Sequence, residues 1–308
     1  MGRRRKGRPV HGWLNLDKPA GISSSDAVNR VRRAFDAAKA GHGGTLDPAA
    51  TGVLPIAFGE ATKTVAYAMD GAKTYRFVVR WGQATSTDDG EGEVIETSDA
   101  RPDGAGLEAL LSSFTGEIEQ VPPVFSAIKV DGRRAYELAR KDVPVELAAR
   151  TVSIAEIRLV ETPDADHAAF EVTAGKGTYV RALARDIARA AGTVGHVVSL
   201  RRTAVGPFQE NHAISLDKIE SLGHIAPDSS PLLPVETVLA DIPALALTAQ
   251  EAQRLKRGQT VPVLPVASRS PFKDIMQGDT VCAMSEGRLV ALARIAGGEI
   301  RPVRVMNL

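Results

Sequence analysis

The 308 residues exceed what one hydrophobic core usually fills, about 250–300 residues, so a large domain with a smaller one is expected. Lys and Arg number 38 against 37 Asp and Glu, and a net charge of +1 neither demands nor excludes a polyanionic partner, so the distribution has to decide. Cys282 is the lone cysteine, which excludes an intramolecular disulfide and argues against a cysteine-built metal site, and no apolar run reaches the length of a membrane span; a reducing cytoplasm fits.

In chain order, residues 1–10 carry Arg3, Arg4, Arg5, Lys6 and Arg8, no acid, and no apolar stretch behind them. They read as a disordered basic tail able to add phosphate contacts, not as a secretory signal. Ser24 or Ser25 is placed to cap a helix with apolar positions Val28, Val31 and Phe35. Residues 41–59 read GHGGTLDPAATGVLPIAFG, and their five glycines fit backbone that approaches a ligand closely or takes positive φ. Asp47 is the lone carboxylate there. Pro48 biases it to extended geometry, so it sits on a stiff loop ahead of an apolar strand, Val53 to Phe58. An Asp-Pro turn is the plain alternative. Residues 74–81 alternate, with Tyr75, Phe77, Val79 and Trp81 on one face and Arg76, Val78 and Arg80 on the other, as a strand does.

Residues 86–108 hold eight acids against Arg101. Within 107–114, Leu107, Leu110, Leu111 and Phe114 fit a short helix. Residues 169–174 read as a strand ending at Gly175, followed by the helical stripe Val180, Leu183, Ala184, Ile187, Ala188 and Ala191. Arg181, Arg185 and Arg189 recur every four residues on the other side, a basic ridge. With Lys176, Arg201 and Arg202 they give residues 176–202 six bases against Asp186. The expectation is a basic face that meets a polyanion and an acidic face that avoids it. Residues 226–234, rich in proline and serine, mark a boundary. Beyond it lie a capping box, Thr248 to Glu251, opening a helix that stops at Gly258, strands at 279–284 and 289–295 joined by a hairpin at Ser285–Arg288, and a last strand from Pro302 to Met306.

The run from Gly41 to Pro55 resembles the signature of the TruB-type tRNA pseudouridine synthase family, Gly-His-x-Gly-x-Leu-Asp-Pro-x-Ala-Thr-Gly-x-Leu-Pro, and matches it throughout. Threonine is common in the family where this chain has Gly43. Other blocks agree in order: Gly12 to Gly21 with its Lys-Pro-Ala-Gly, Lys73 to Arg76, Pro122 to Gly132, Gly175 to Arg181, and Ser199 to Arg202. The resemblance covers roughly residues 11–308.

The resemblance implies an α+β fold: a mixed, largely antiparallel sheet of the pseudouridine-synthase type flanked by helices, with a small PUA-like C-terminal β module. It implies a catalytic domain over 11–245, an RNA-gripping insertion near 124–150, and an RNA-binding module over 246–308 carrying Lys256 and Arg257. It implies isomerisation of uridine to pseudouridine at position 55 in the T-loop of tRNA, by a stand-alone, cytoplasmic, monomeric enzyme with no cofactor, metal, membrane or protein partner. Asp47 would be the essential nucleophilic carboxylate acting on a base flipped from its stack. Burial favours the uncharged form of an acid and a guanidinium opposes that, so Arg181 would be its partner. Tyr75 would stack on the target base, its hydroxyl near C5 deprotonation. Tyr179 would contact the uridine pocket, Leu200 would form an apolar wall, and His42 would lie against the RNA. Lys18 is as well placed for structure as for substrate. The ridge from Arg181 to Arg189, with Arg201 and Arg202, would meet the phosphates. Two other readings stand beside this one: an RNA-binding or RNA-folding module with an idle carboxylate, and an enzyme directed by a guide RNA.

Overall fold

The protein is seen in a computed structural model that describes residues 7–126, 128–130, 132–139, 141, 143–222, 231–270 and 275–308. Residues 1–6 of the basic tail, positions 127, 131, 140 and 142 and the Arg134 side chain of the expected insertion, and 226–230 of the expected boundary lie outside the described residues.

Strand β1 (Gly12–Lys18) leads to helix α1 (Ser24–Ala34). The helix cap is Ser23, one residue ahead of the expected Ser24 or Ser25. Its hydroxyl accepts from the Asp26 N–H at 3.0 Å and donates to the Asp26 carboxylate at 2.6 Å. Of the three serines only Ser23 has an acid three positions on, which decides the cap. Next come β2 (Ala40–His42), β3 (Thr51–Phe58), α2 (Val65–Asp70) and β4 (Lys73–Trp81). The hairpin β5 (Gln83–Thr85) and β6 (Val94–Thr97) carries part of the acidic stretch. Then follow α3 (Gly104–Leu111), β7 (Gly116–Gln120), β8 (Lys129–Val130), β9 (Arg133–Arg134) and α4 (Ala135–Ala139). The long β10 (Arg150–Asp164) turns back into β11 (His167–Ala174), followed by α5 (Val180–Ala190). The larger unit closes with β12 (Gly195–Val205), β13 (Phe208–Gln209), β14 (Ile214–Ser215) and α6 (Leu216–Ser221).

One sheet runs β14-β1-β3-β12-β4-β11-β10-β7, with β2 on β3 and β13 on β12. Among the described residues its parallel contacts are β1 with β14 and β3 with β12, so the sheet is mixed and largely antiparallel. Its halves differ in cover. In β3 every residue from Gly52 to Phe58 is buried, because both faces are packed. Leu54, Ile56 and Phe58 join Leu14 and Leu16 under α1, while Val53 and Ala57 face the other way with Trp13 and Phe208. Such a strand reads as a continuous apolar run. Strands β4 and β11 bury one face against α5 and α3, so Phe77, Val79 and Trp81 are core while Arg76 and Arg80 are exposed. That is the alternation legible in 74–81.

A β-bulge then decides which residues meet the site. Val197 pairs with Val79, but Ser199 pairs with Val78, so Val198 is extra. A strand has period two, and one extra residue turns everything after it over. Leu200 and Arg202 therefore face the side of Phe77 and Tyr75, and Arg201 faces the side of Arg76.

The smaller sheet runs β15-β17-β18-β19-β16, from β15 (Ala244–Ala246), β16 (Val261–Pro262), β17 (Thr280–Ser285), β18 (Arg288–Ala296) and β19 (Glu299–Val305), with helices α7 (Ala249–Lys256) and α8 (Val263–Ala267). The capping box at Thr248 and Glu251 is formed, and the β17–β18 turn places Glu286 and Gly287 at φ of 50° and 73°. Cys282, Leu289, Leu292 and Met306 pack against Trp13, Val53 and Phe208, which is how β1 and β3 gain their second cover. Lys63 donates to the Val305 carbonyl at 2.7 Å and the Asn307 N–H donates to Glu60 at 2.8 Å, fastening the last strand to the larger unit. Among the described residues no helix is long and apolar enough to cross a membrane.

Gly52 marks the closest approach of β3 and β12. It sits at φ +101°, and a Cβ there would lie 2.1 Å from the Arg202 carbonyl oxygen. Gly52→Ala is expected to cost at least about 2 kcal/mol through strain and overpacking, read as a lower midpoint in urea unfolding.

Candidate active site

The loop carrying Asp47 is held from four directions. Ser24 Oγ donates to the Leu46 carbonyl and accepts from the Leu46 N–H, both at 2.8 Å. Lys18 Nζ donates to the carbonyls of Pro19, Ile22 and Pro48 at 2.8, 3.0 and 3.1 Å, spending all three ammonium protons. Arg202 sends Nε to the Val53 carbonyl at 2.8 Å, Nη1 to Thr45 at 3.2 Å and Nη2 to Gly44 at 3.0 Å. Arg181 holds the carboxylate itself, Nε to Oδ2 at 2.9 Å. The remaining backbone is tied by the Gly21 N–H to the Pro48 carbonyl at 2.9 Å and the Ala50 N–H to Asp47 at 3.1 Å.

The ion pair is lopsided. The Arg181 side chain is 7% exposed and that of Asp47 42%. The guanidinium is sealed inside, where Nη1 donates to the Thr87 carbonyl at 2.8 Å and lies 3.5 Å from the Asp89 carboxylate, and Nη2 donates to the Phe125 carbonyl at 2.9 Å. The carboxylate thus has one side anchored and the other open to solvent. An aimed, charged oxygen on a stiff loop suits nucleophilic or electrostatic work at an electron-poor carbon.

Tyr75 and Leu200 flank this centre. Both are half-buried between the core under α1 and the core under α5. Tyr75 is the cross-strand neighbour of Arg202. Burial pushes Arg202 below its ordinary pKa, with Tyr75 and Asp47 opposing. His42 lies at the end of β2, where burial and the nearby Arg202 lower its pKa and favour neutral imidazole. Tyr179, the residue before α5, has the Arg150 guanidinium 4.8 Å above its ring centroid. Gln120 takes both Tyr179 backbone groups. The structure therefore gathers Asp47, Arg181, Tyr75, Leu200, Arg202, His42 and Lys18 around one loop, with Tyr179 at the start of the helix that carries Arg181.

The charge reading needs correction. The acidic and basic stretches do not form separate faces; they meet. Arg185 pairs with Asp88 at 2.9 Å and Asp186 at 3.0 Å, and Arg181 lies beside Asp89. Burial raises the Asp88 pKa, opposed by Arg185 and Arg181. Of the expected ridge only Arg189 is exposed. Arg202 is only 1% exposed and Arg201 pairs with Asp17 and Glu210 on the opposite side of the sheet. Helical and strand spacing located these cations but not their partners in the acidic stretch, Asp89 for Arg181 and Asp88 for Arg185, each more than 90 residues away. Arg202 as the keystone of the loop, Ser24, Gln120, Asp88 and Asp89 were not read as parts of the site. The adjacent Asp88 and Asp89, facing two arginines four residues apart, were the available signal.

Residues 32–180 match the family model described as TruB family pseudouridylate synthase (N terminal domain), and residues 181–240 the tRNA pseudouridylate synthase B C-terminal domain. The tRNA pseudouridine synthase B of Rhodospirillum rubrum is 61% identical to this chain over 308 residues, covering all of both. That of Caulobacter vibrioides is 55% identical over 309 residues, again all of both. Among solved structures, the crystal structure of the archaeal box H/ACA sRNP Nop10–Cbf5 complex contains a chain with a TM-score of 0.72 and 24% identity, covering 99% of this chain and 92% of that one, a likeness of fold alone.

Burial lowers Lys18 from 10.5 to about 8, with Asp47 opposing and Arg202 adding to it, and burial likewise lowers Lys73 to about 8. Between pH 8 and 10.5 the unfolded chain then holds more protons than the folded one, so stability rises with pH there by up to about 1.4 kcal/mol per unit for each lysine. Below pH 8 both states are protonated and this slope vanishes. Lys18→Met is expected to destabilise at pH 7, because three carbonyls lose their donor, and to remove the Lys18 share of the slope. Urea midpoints from pH 7 to 9.5, wild type against variant, measure both.

Proposed function

The chain belongs to the TruB family of tRNA pseudouridine synthases and isomerises uridine in tRNA, and from that premise we propose that its target is position 55 in the T-loop, with Asp47 as the nucleophilic carboxylate acting on a flipped base. The single observation behind this reading is the lopsided pair, an Asp47 carboxylate open on one side and held on the other by a guanidinium buried among loops.

The reaction breaks the N1–C1′ bond, turns the base and joins C5 to C1′. N1 gains a proton, C5 loses one, and no electrons are gained or lost, so the stoichiometry calls for no cofactor. Asp47 supplies the nucleophile. Arg181 keeps the carboxylate aimed, and its planar fork holds Asp47 and two carbonyls on separate loops in one fixed plane, a geometry that a lysine ammonium does not reproduce. Tyr75 stacks on the base, with its hydroxyl beside the position from which C5 loses its proton. Leu200 and Tyr179 form the rest of the pocket, and His42 lies against the RNA and helps keep the loop open. Lys18 serves the loop, since its three protons are committed to carbonyls.

The catalytic domain spans 11–245 and the RNA-binding, PUA-like module 246–308. The insertion near 124–150 grips the T-arm, with Lys129, Arg133 and Lys141 exposed, and Lys256 and Arg257 are exposed at the end of α7 for the far end of the tRNA. The enzyme acts in the cytoplasm as a stand-alone monomer that grips the tRNA directly. Unstacking a base costs a few kcal/mol, which these contacts offset.

Asp47→Asn is expected to lower turnover more than about 10³-fold while tRNA binding persists. The assay is tritium release from C5-labelled uridine in an unmodified tRNA transcript. A transcript with cytidine at position 55 is expected to release none; release undiminished by either change would sink the assignment.

A further inference from the structure

Gln120 ends β7 and is 1% exposed. Its side-chain amide faces the backbone of Tyr179. Oε1 accepts from the Tyr179 N–H at 2.8 Å, and Nε2 donates to the Tyr179 carbonyl at 3.1 Å. Tyr179 stands at the cap position of α5, at φ −106° and ψ 113°, and caps it with no side-chain hydrogen bond. One buried amide thus satisfies both backbone groups of the residue that starts the helix. Such a double contact fixes position along and across the chain at once, as a rung of a sheet does.

Neighbouring contacts converge on the same turn. The Val121 carbonyl accepts from Arg185 Nη2 at 2.7 Å, and the Phe125 carbonyl accepts from Arg181 Nη2 at 2.9 Å. Arg150 is the cross-strand partner of Gln120, and its guanidinium covers the Tyr179 ring. Arg181 follows Tyr179 by two residues, so a displacement of this turn carries the Tyr179 ring and the Arg181 guanidinium with it.

We propose that Gln120 is a positioning residue for the isomerisation: its amide sets the first turn of α5, and through that turn the Tyr179 ring and the guanidinium that aims Asp47. The proposal rests on the reading of the site given under the proposed function. Gln120 touches neither RNA nor the reacting atoms, and it acts on the chemical step rather than on tRNA affinity.

The test uses the full-length protein, an unmodified tRNA transcript tritiated at C5, single-turnover release, filter binding and urea unfolding. Gln120→Met deletes both hydrogen bonds. The release rate is expected to fall by roughly 10²-fold, the scale of an ångström-sized misplacement, with tRNA affinity unchanged to within about threefold. Gln120→Glu is the conservative partner. Its protonated carboxyl donates and accepts as the amide does, whereas the ionised form cannot donate to the Tyr179 carbonyl. Its rate is expected to approach wild type at low pH and to fall as pH rises through the carboxyl pKa, a limb absent from the wild-type profile. In an Arg181→Lys background, Gln120→Met is expected to cost little more, because both act on one geometry.

A wild-type rate in Gln120→Met overturns the proposal, as does a loss matched by lost affinity or by the unfolded fraction. A Gln120→Glu rate that follows the wild-type pH profile, or stays low at every pH, overturns it too, and this comparison decides even where Gln120→Met does not fold. Full additivity with Arg181→Lys counts against it as well. Failure of the underlying functional reading shows separately, as turnover surviving in Asp47→Asn whatever the Gln120 variants do.

Discussion

Arg181 gives up nearly all its contact with water to reach Asp47, Thr87, Phe125 and Asp89 together. Removing a guanidinium from water costs several kcal/mol unless its protons find acceptors, and here two carbonyls and two carboxylates supply them. Those acceptors sit on three loops distant in sequence: the glycine-rich loop, the turn after β5 and the segment after β7. Unpairing the cation would leave a buried charge without partners, so the three loops are held to one arrangement. Asp47 benefits without being buried itself, since its partner pays the desolvation and its own carboxylate stays open on one side. A carboxylate in that position is stiff and charged at the same time, which a flexible surface acid is not.

Arg202 does the complementary work on the main chain. It lies in the sheet under the loop and takes the carbonyls of Gly44, Thr45 and Val53, so the loop rests on a buried cation as well as being pulled by one. Its direction depends on the bulge at Val198. Without that extra residue the alternation would send Arg202 to the outer face and Arg201 inward. As built, Arg201 joins a row of charges across the open side of the sheet, from Asp17 through Arg201, Glu210, Arg76 and Glu171 to Arg158. Each exposed pair is worth at most about 1 kcal/mol. Three bases alternate with three acids along it, so this stretch of the outer face carries no net charge and gives a polyanion nothing to settle on.

Much of this was legible in the chain because it is local. The period-two alternation from Tyr75 to Trp81, the stripe from Val180 to Ala188, the capping box at Thr248 and the turn at Glu286–Gly287 each depend on neighbours a few residues apart. Asp47 was legible as well, through glycines and Asp-Pro, and family resemblance separated it from an ordinary turn. What stayed hidden depends on pairs far apart or on a single inserted residue. The acids at 88 and 89 and the arginines at 181 and 185 are segregated along the chain yet neutralise each other in space. Arg201 and Arg202 are adjacent and identical in type; alternation puts them on opposite faces, and a bulge with no signature in composition decides which of the two goes inward. Ser23, not Ser24, caps α1, because Asp26 stands three residues on and Leu46 claims the Ser24 hydroxyl.

The segment between β7 and β10 has a further consequence for the site. It leaves the sheet at Gln120 and returns at Arg150, and these two are cross-strand partners, so both ends of a long excursion close at one place. That place is the start of α5: Gln120 holds the Tyr179 backbone, Arg150 covers its ring, and Arg181 and Arg185 take carbonyls from the outgoing chain. Both ends of the excursion are therefore tied to the turn that carries Arg181 as well as to the paired strands β7 and β10. An RNA loop gripped by the exposed cations at Lys129, Arg133 and Lys141 would bear on the guanidinium that aims Asp47 through a path of hydrogen bonds only a few residues long. On the proposed reading grip and chemistry would share an anchor, because the chain leaves and rejoins the sheet beside the residue before that helix.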